Sequence, residues 1–177
     1  MSGATIWFTG LPSSGKTTLA TAVAEQLRAA GRAVELLDGD EVREFLSKGL
    51  GFSREDRETN VTRIGYVAAL LASNGVTVLA SVISPYAASR DKVRALHGER
   101  GADFVEVHVA TPVEVCSQRD VKGLYAKQRA GELTGLTGVD DPYEAPAAAE
   151  ITVATQHQTL DESVAQILVV LAERGLA

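Results

Sequence analysis

The sequence is poor in cysteine and aromatic residues and has no excess of basic residues. Cys116 is the only cysteine among 177 residues, which excludes an intramolecular disulfide and a metal site built from several thiolates. With no disulfide to form, we expect a reduced, cytoplasmic setting. The formal net charge of -6 excludes a broad basic surface for nucleic acid, although a few cations can still cluster around a small anionic substrate.

Long hydrophobic runs are also absent. No apolar segment reaches the ~20 residues that a membrane-spanning helix needs, so we expect no membrane partner. Residues 1–10 pass directly into a short apolar segment, and we therefore expect no signal peptide. Hydrophobic residues make up 45% and charged residues 23% of the chain, which predicts one globular domain over residues 1–177.

Short apolar segments alternate with longer amphipathic ones. The candidate strands are "TIWFTG", "AVELLDGD", "VTVLASVIS", "DFVEVHV" and "EITVAT". The candidate helices are "KTTLATAVAEQLRAAG", residues 57–73, "TPVEVCSQRD" and "TLDESVAQILVVLAER". We expect Thr111 to cap the third of these helices, with Pro112 in its first turn, and Thr159 or Asp161 to cap the last. The alternation predicts an α/β fold with a parallel sheet covered by helices on both faces.

The segment "GLPSSGKTT" follows the first strand and fits the phosphate-binding pattern G-x-x-x-x-G-K-S/T. Backbone N–H groups of such a loop surround phosphate oxygens, and the following helix directs its positive end at them. Lys16 would neutralise the β- and γ-phosphates, and the Thr17 hydroxyl would bind Mg²⁺. Because a strand precedes the loop and a helix follows it, we predict a nucleoside triphosphate site.

The phosphate loop alone does not distinguish a switch, an ATPase and a kinase. The chain lacks the N-K-x-D string usual in guanine-nucleotide switches and the Ser-Gly-Gly signature of transporter ATPases. Asp38 and Asp40 follow the second strand, where a carboxylate would meet an acceptor hydroxyl approaching the γ-phosphate. This placement favours a small phosphotransferase, although the same residues also suit a polar turn.

Basic and amide side chains come next in the chain. Arg57, Asn60 and Arg63 are spaced three residues apart, so they project from similar faces of one helix. Together with Arg43 they suit an acceptor that carries phosphate or sulfate oxygens. A solvated helix face with ion pairs is the alternative, and Phe52 suits either the core or a stacking platform.

These segments, together with "ISPY", "RDVKGLYAKQRAGEL" and "TGVDDPYEAP", resemble the adenylylsulfate kinase (APS kinase) family. The resemblance runs from about residue 6 to the terminal helix. It implies a P-loop kinase fold: a three-layer α/β sandwich of about five parallel strands in the order 2-3-1-4-5, with a lid at residues 119–145. It implies ATP- and Mg²⁺-dependent phosphorylation of the 3′-hydroxyl of adenosine 5′-phosphosulfate (APS), giving 3′-phosphoadenosine 5′-phosphosulfate (PAPS) and ADP in sulfate activation. It also implies a homodimer, and it makes ATP sulfurylase a candidate partner.

The resemblance assigns roles by position. Asp40 would be the base, with Asp38 and Lys16 as further catalytic residues, and Thr17 and Asp38 would bind Mg²⁺, partly through water. The positions implied for ATP are Gly10, Leu11, Pro12, Ser13, Ser14, Gly15, Lys16, Thr17, Thr18 and Arg119. The positions implied for APS are Asp38, Arg43, Phe52, Arg57, Asn60, Ile83, Ser84, Pro85, Lys122, Gly123, Leu124 and Leu136.

Within the APS set, the resemblance implies that Arg43, Arg57 and Asn60 hold the phosphosulfate while Phe52 stacks on the adenine. Ser84 is the position that the family traditionally treats as a phospho-acceptor. Direct in-line transfer needs no such intermediate, and no base stands next to Ser84 in the sequence.

The lid departs from the family pattern. The family's D-P-K-G-L-Y-K-K-A-R appears as "DVKGLYAKQR", so Val121 replaces a proline and Ala126 a lysine. The family's F-T-G-I/V appears as "LTGV", which puts Leu136 where an aromatic ring would cover the second face of the APS adenine. We expect a less rigid, less positive lid and weaker APS binding than in relatives with phenylalanine.

Two alternatives to the APS kinase hypothesis stay open. Leu136 and the lid changes leave room for a kinase of another small anionic nucleotide or metabolite. The other alternative is a non-catalytic nucleotide-binding module fused to or docked on ATP sulfurylase, and the presence of Lys16, Thr17 and both aspartates argues against it.

Overall fold

A computed structural model describes residues 3–177 and contains a five-stranded parallel sheet. The strands are β1 (Ala4–Thr9), β2 (Val34–Asp38), β3 (Thr77–Ser81), β4 (Asp103–Val109) and β5 (Ile151–Val153). They pair in the order β2-β3-β1-β4-β5, with every neighbouring pair parallel. The predicted strand order and the predicted class of fold are both confirmed.

Seven helices occur within the described residues. They are α1 (Lys16–Ala29), α2 (Gly39–Phe45), α3 (Arg54–Ser73), α4 (Ala87–Glu99), α5 (Val113–Arg119), α6 (Leu124–Arg129) and α7 (Leu160–Glu173). Within residues 3–177, none of them is both long and apolar enough to cross a membrane.

The side chains of β1 show how the helices cover both faces of the sheet. Ile6 and Phe8 pack into the same cluster as the buried side chains of α1 and α7. Trp7 lies in a second cluster with Ile64 of α3 and Val93 of α4. Because successive strand residues point to opposite faces, β1 is apolar on both sides, as expected for the central strand of a parallel sheet.

The helix ends agree with the sequence in part. Thr159 caps α7 in a capping box with Glu162, as one of the two predicted caps. Thr111 does not cap α5: Pro112 occupies the N-cap position, and the Thr111 hydroxyl instead donates a hydrogen bond to the Ser14 carbonyl at 2.9 Å. The prediction of a Thr111 cap was therefore wrong. The hydroxyl binds the phosphate loop, and the sequence around Thr111 does not predict a contact with a residue so far away in the chain.

Three helices were not predicted, and a fourth begins earlier than expected. Helix α6 has only six residues, too few to show a helical spacing of apolar side chains. Helix α2 has only seven residues and starts inside the polar "DGD" segment. Helix α4 buries Ser89, Arg90 and His97 as well as Val93, so polar residues interrupt the apolar spacing that identifies a helix. Helix α3 begins at Arg54, three residues before the predicted start, because the Ser53 side chain accepts a hydrogen bond from the Asp56 N–H.

Candidate active site

A cavity of about 890 Å³ opens where the carboxyl ends of the parallel strands meet, the usual place for a ligand in an open α/β sheet. Its walls come from the phosphate loop after β1, the ends of β2 and β3, the start of α3, and the segment after α5. Most of the predicted site residues therefore lie around one space, although they are spread over more than 120 residues of sequence.

The phosphate loop surrounds its own lysine. Lys16 is buried, and its Nζ donates to the Gly10 carbonyl at 3.0 Å and the Leu11 carbonyl at 2.8 Å. Burial lowers the pKa of Lys16 from 10.5 to about 8, since an ammonium group loses hydration there. Ser13 and Gly15 take left-handed backbone conformations, with φ of 62° and 104°, which turns the chain sharply just before α1.

Three side-chain oxygens meet at the ends of neighbouring strands. The Thr17 hydroxyl donates to Asp38 Oδ2 at 2.8 Å and lies 3.0 Å from the Ser81 hydroxyl. Asp38 and Ser81 are paired residues in the β2–β3 register, which fixes their separation. Mg²⁺ prefers oxygen ligands and is usually bound through one or two carboxylates together with substrate phosphates and water. The donor set of Thr17 and Asp38 fits Mg²⁺, and sequence analysis had missed Ser81 beside it.

Asp38 also positions Asp40. The Asp38 Oδ1 atom accepts a hydrogen bond from the Asp40 N–H at 3.0 Å and so caps α2. The Asp40 carboxylate forms an ion pair with Lys122 from the lid. The "DGD" segment is therefore both a turn and part of the cavity wall, because its first aspartate holds the helix that carries the second.

Arg43 and Phe52 form a pair at the edge of the cavity. The Arg43 guanidinium carbon lies 4.4 Å from the centre of the Phe52 ring, and its Nη1 donates to the Gly51 carbonyl at 3.0 Å. Phe52 is 68% exposed, which shows that it is not a core residue. An exposed ring held on one face by an arginine leaves the other face open for stacking.

Arg57 and Asn60 of α3 are both buried and line the cavity. Arg57 contacts the part of the lid that follows α6, residues 130–145, which we call the lid segment. It donates to the Gly135 carbonyl at 2.6 Å and pairs with Asp141 at 2.9 Å. The side-chain oxygen of Asn60 is buried with no hydrogen-bond partner within residues 3–177. Arg63 does not join this group, because it is exposed and donates to the Leu46 carbonyl instead.

Ser84 lies in the loop between β3 and α4, where Ile83, Ser84 and Pro85 line the cavity. Its backbone is left-handed, with a φ of 42°, and its side chain is buried. The hydroxyl accepts a hydrogen bond from Trp7 Nε1 at 3.0 Å and donates to the Val82 carbonyl at 3.3 Å. Both contacts are structural, and no base lies among them.

The lid lies against the phosphate loop. Arg119 donates to the Thr155 hydroxyl at 2.9 Å and to the Ser14 carbonyl at 3.3 Å. Tyr125 is buried and donates to the Pro12 carbonyl at 2.9 Å. Leu136 is 5% exposed and packs in one cluster with Tyr125 and Cys116. It also borders the cavity, so a change of its side chain would alter both the packing of that cluster and the shape of the cavity.

Asp140 keeps the long segment after α6 ordered. Its carboxylate accepts hydrogen bonds from the N–H groups of Gly135 and Leu136, at 2.8 and 2.5 Å. These donors, Gly135 first, hold the pKa of Asp140 below its ordinary value. The segment has no helix or strand within its described residues, yet side-chain contacts fix its course.

A few predicted residues lie outside the cavity wall, and several others were missed. Gly10, Leu11 and Gly123 do not line the cavity, although the carbonyls of the first two hold Lys16. The missed lining residues beyond β5 are Thr155, Gln158, Thr159, Leu160 and Ser163. Their only sequence signal is that they follow a strand whose carboxyl end lies at the same sheet edge as the phosphate loop.

The fold and the cavity together define a P-loop phosphotransferase. The sequence model of the adenylylsulphate kinase family matches residues 2–154, and the chain belongs to that family. The chain is 57% identical over 173 residues to an adenylyl-sulfate kinase of Rippkaea orientalis, covering 98% of this chain and 93% of the relative. The resemblance inferred from the sequence is thereby confirmed.

Two further relatives bear on substrates and partners. An APS kinase from Mycobacterium tuberculosis, solved with AMPPNP and APS, is 43% identical and superposes with a TM-score of 0.93, covering 97% of this chain and 98% of that one. A probable bifunctional SAT/APS kinase 2 of Sorangium cellulosum is 53% identical over 175 residues. The match takes in 99% of this chain but 29% of that protein.

Proposed function

We propose that this chain transfers the γ-phosphoryl group of ATP to the 3′-hydroxyl of APS, giving PAPS and ADP. One observation carries the proposal: the phosphate loop, the Asp38–Asp40 pair and the Arg43, Arg57 and Asn60 side chains line a single cavity. A kinase needs the donor phosphates, a base and an anionic acceptor in one space. The close similarity to an APS kinase solved with AMPPNP and APS supports this choice of substrates.

In the donor half, Lys16 would exchange its contacts with the Gly10 and Leu11 carbonyls for the β- and γ-phosphates. Arg119 presents its guanidinium next to the loop and would contact ATP from the lid side. Thr17 and Asp38 would hold Mg²⁺, which would neutralise the charge of the phosphates.

In the acceptor half, the exposed ring of Phe52 would stack on the adenine of APS. Arg43, Arg57 and Asn60 would hold the phosphosulfate through charge-assisted and amide hydrogen bonds. Two nitrogens of the Arg57 guanidinium already contact the lid segment: Nη2 donates to the Gly135 carbonyl and Nη1 pairs with Asp141. It would therefore hold the ligand and the lid segment at the same time.

The chemical step is a direct in-line displacement. The 3′-oxygen of APS forms a bond to the γ-phosphorus while the bond from that phosphorus to the bridging oxygen breaks, and ADP leaves with the bridging oxygen. Asp40 takes the proton of the 3′-hydroxyl. Lys122 reaches Asp40 from the lid, so the same lysine would meet the transferring phosphoryl oxygens once the acceptor is bound.

We further propose that residues 1–177 act as one domain, that the lid comprises residues 119–145, and that the chain forms a homodimer. The bifunctional relative supports ATP sulfurylase as a candidate partner, because APS kinase and a second activity share one chain there. Light scattering of the purified chain, alone and mixed with ATP sulfurylase, tests both assembly proposals. A monomer that shows no complex would contradict them.

An acceptor panel tests the proposed activity. ADP release from ATP is measured with APS and, in parallel, with AMP, 3′-phosphoadenosine and a sugar acid such as gluconate. We expect APS to give by far the highest kcat/KM, and Asp40→Ala to lower kcat by about 10²–10⁴-fold without loss of fold. A better acceptor among the others would favour the alternative kinase, and ATP binding without turnover on any acceptor would favour the binding module.

A further inference from the structure

Arg90 of α4 is a buried cation that the proposed mechanism does not use. It is 3% exposed and does not belong to the cavity wall. All three arms of its guanidinium are bonded: Nε donates to Glu106 Oε1 at 2.8 Å, Nη1 to the Ser84 carbonyl at 2.7 Å, and Nη2 to the Glu144 carbonyl at 2.6 Å. The first bond is to the sheet, and the other two are to backbone next to the cavity.

The first backbone target belongs to a strained part of the cavity wall. A left-handed conformation is unfavourable at a residue with a side chain, and Ser84 adopts it with a φ of 42°. Surrounding bonds must hold such a residue in place. Trp7 holds the Ser84 hydroxyl, and Arg90 holds the Ser84 carbonyl.

The second backbone target belongs to the lid segment, where it returns to the body of the protein. Glu144 donates its N–H to the Pro85 carbonyl at 2.8 Å, and its carboxylate accepts from the Ala87 N–H at 2.7 Å. Arg90 adds the bond to the Glu144 carbonyl. One guanidinium thus bridges the loop at residues 83–85 and the end of the lid segment, in addition to the two hydrogen bonds that join Glu144 directly to Pro85 and Ala87.

The charge of Arg90 is already balanced. Glu106 pairs with Arg90 on one oxygen and with Arg94 on the other, and Arg94 also pairs with Glu150. A neutralised, buried guanidinium has little electrostatic reach into the cavity. Its effect on a ligand therefore comes from the backbone that it holds in place.

From this geometry we infer that Arg90 is a positioning residue for the acceptor half of the site. It fixes the wall at residues 83–85 and the end of the lid segment at Glu144 as one unit, and so sets the shape offered to APS. The inference rests on the proposed function for its ligand. We expect a change of Arg90 to weaken APS binding and to spare ATP binding, because none of the described hydrogen bonds of Arg90 goes to the phosphate loop.

The test compares Arg90→Lys with Arg94→Lys. The two arginines lie one turn apart on α4 and share Glu106, but Arg94 donates to Glu106, Glu150 and the Phe104 carbonyl, away from the cavity. Lysine keeps the charge for Glu106 and loses the fork that reaches two carbonyls. We expect Arg90→Lys to raise the KM for APS roughly tenfold and to leave the KM for ATP unchanged, with no change of either KM in Arg94→Lys.

Glu144→Ala is the second variant, chosen because Glu144 is exposed and the change spares the fold. It frees the end of the lid segment from the start of α4 and should raise the KM for APS about fivefold, again without affecting ATP. Equal KM values for APS in wild type, Arg90→Lys and Glu144→Ala would overturn the inference. So would an equal rise for both substrates, or the same rise in Arg94→Lys.

Hydrogen exchange separates this inference from the proposed function. Arg90→Lys should speed amide exchange at residues 83–87 and 143–145, and Arg94→Lys should not. If the wild type fails to phosphorylate APS, the proposed function is wrong. The exchange pattern then still decides whether Arg90 clamps these two segments, and unchanged exchange in Arg90→Lys would refute the clamp.

Discussion

Lys122 of the lid forms an ion pair with Asp40 at the start of α2, and both residues line the same cavity as the phosphate loop. The side chains are 55% and 68% exposed, so the pair contributes only about 0–1 kcal/mol to the free energy of folding. Its importance is spatial: it brings the lid to the carboxylate that is proposed to accept the proton of the acceptor hydroxyl.

Removing the lid lysine should therefore affect transfer much more than stability. We expect Lys122→Ala to lower kcat/KM for APS by roughly 10²-fold, because a cation that meets the transferring phosphoryl oxygens is lost. The melting temperature should change by no more than about 4 °C. Lys127→Ala is the matched control, since Lys127 lies on the same lid but outside the cavity wall. Wild-type kcat/KM in Lys122→Ala would refute the role of the lysine.

Leu136→Phe should strengthen APS binding. Stacking of a base on an aromatic ring is worth ~1–3 kcal/mol, part of which leucine already recovers by burial, so we expect the KM for APS to fall by up to about tenfold. Steady-state kinetics with varied APS measures this, and substrate inhibition by APS should appear at lower concentration. Leu136→Met, which conserves volume, should leave the KM unchanged. An unchanged KM in Leu136→Phe would mean that residue 136 does not touch the base.

Nucleotide binding should take up a proton near pH 9. Burial lowers the pKa of Lys16 to about 8, so most of the free protein carries a neutral Lys16 at that pH. Bound phosphates favour the ammonium form and raise the pKa again, so ADP affinity should fall as the pH rises above 8, by up to about tenfold per unit. Calorimetry in two buffers with different ionisation enthalpies measures the uptake. Agreement between the two buffers at pH 9 would contradict the prediction.

Ser84→Ala should retain catalysis. The hydroxyl is occupied by Trp7 and the Val82 carbonyl, and the catalytic residues are untouched. Loss of the buried bond to Trp7 costs about 1–3 kcal/mol of folding free energy, and kcat should stay within about tenfold of wild type. ATP labelled in its γ-phosphate should leave no label on the wild-type protein in the absence of acceptor. Label at Ser84, or a loss of activity as large as that of Asp40→Ala, would show that a phosphoserine intermediate exists.

The parts that the sequence predicts well are those written in local patterns. The phosphate loop is a contiguous motif and β1 is a short apolar run, so both were placed correctly from local patterns. The strand order, also confirmed, came from the family resemblance and not from any local pattern. The family resemblance named Thr17 and Asp38 together, and the structure brings them within hydrogen-bonding distance, while their binding of Mg²⁺ stays a prediction.

The parts that were missed depend on contacts between distant residues. Ser81 joins Thr17 only because β2 and β3 pair in a particular register. Arg57 contacts Gly135 and Asp141, about 80 residues away, and no residue spacing in the chain predicts these contacts. Helix α4 was not predicted because a charged residue, Arg90, stands on its buried face and interrupts the apolar spacing. Arg90 can be buried there because it bonds to Glu106 and to the Glu144 carbonyl, which belong to other parts of the chain.

Identification of the product is the most direct test of the central claim that this protein transfers the γ-phosphoryl group of ATP to the 3′-hydroxyl of APS. Wild-type protein, ATP and APS are mixed with Mg²⁺, and the products are analysed by mass spectrometry and by ³¹P NMR. We predict one equivalent of ADP for each molecule of PAPS, with the new phosphate on the 3′-oxygen. ADP formed without phosphorylated APS, or a phosphate at any other position, would contradict the account.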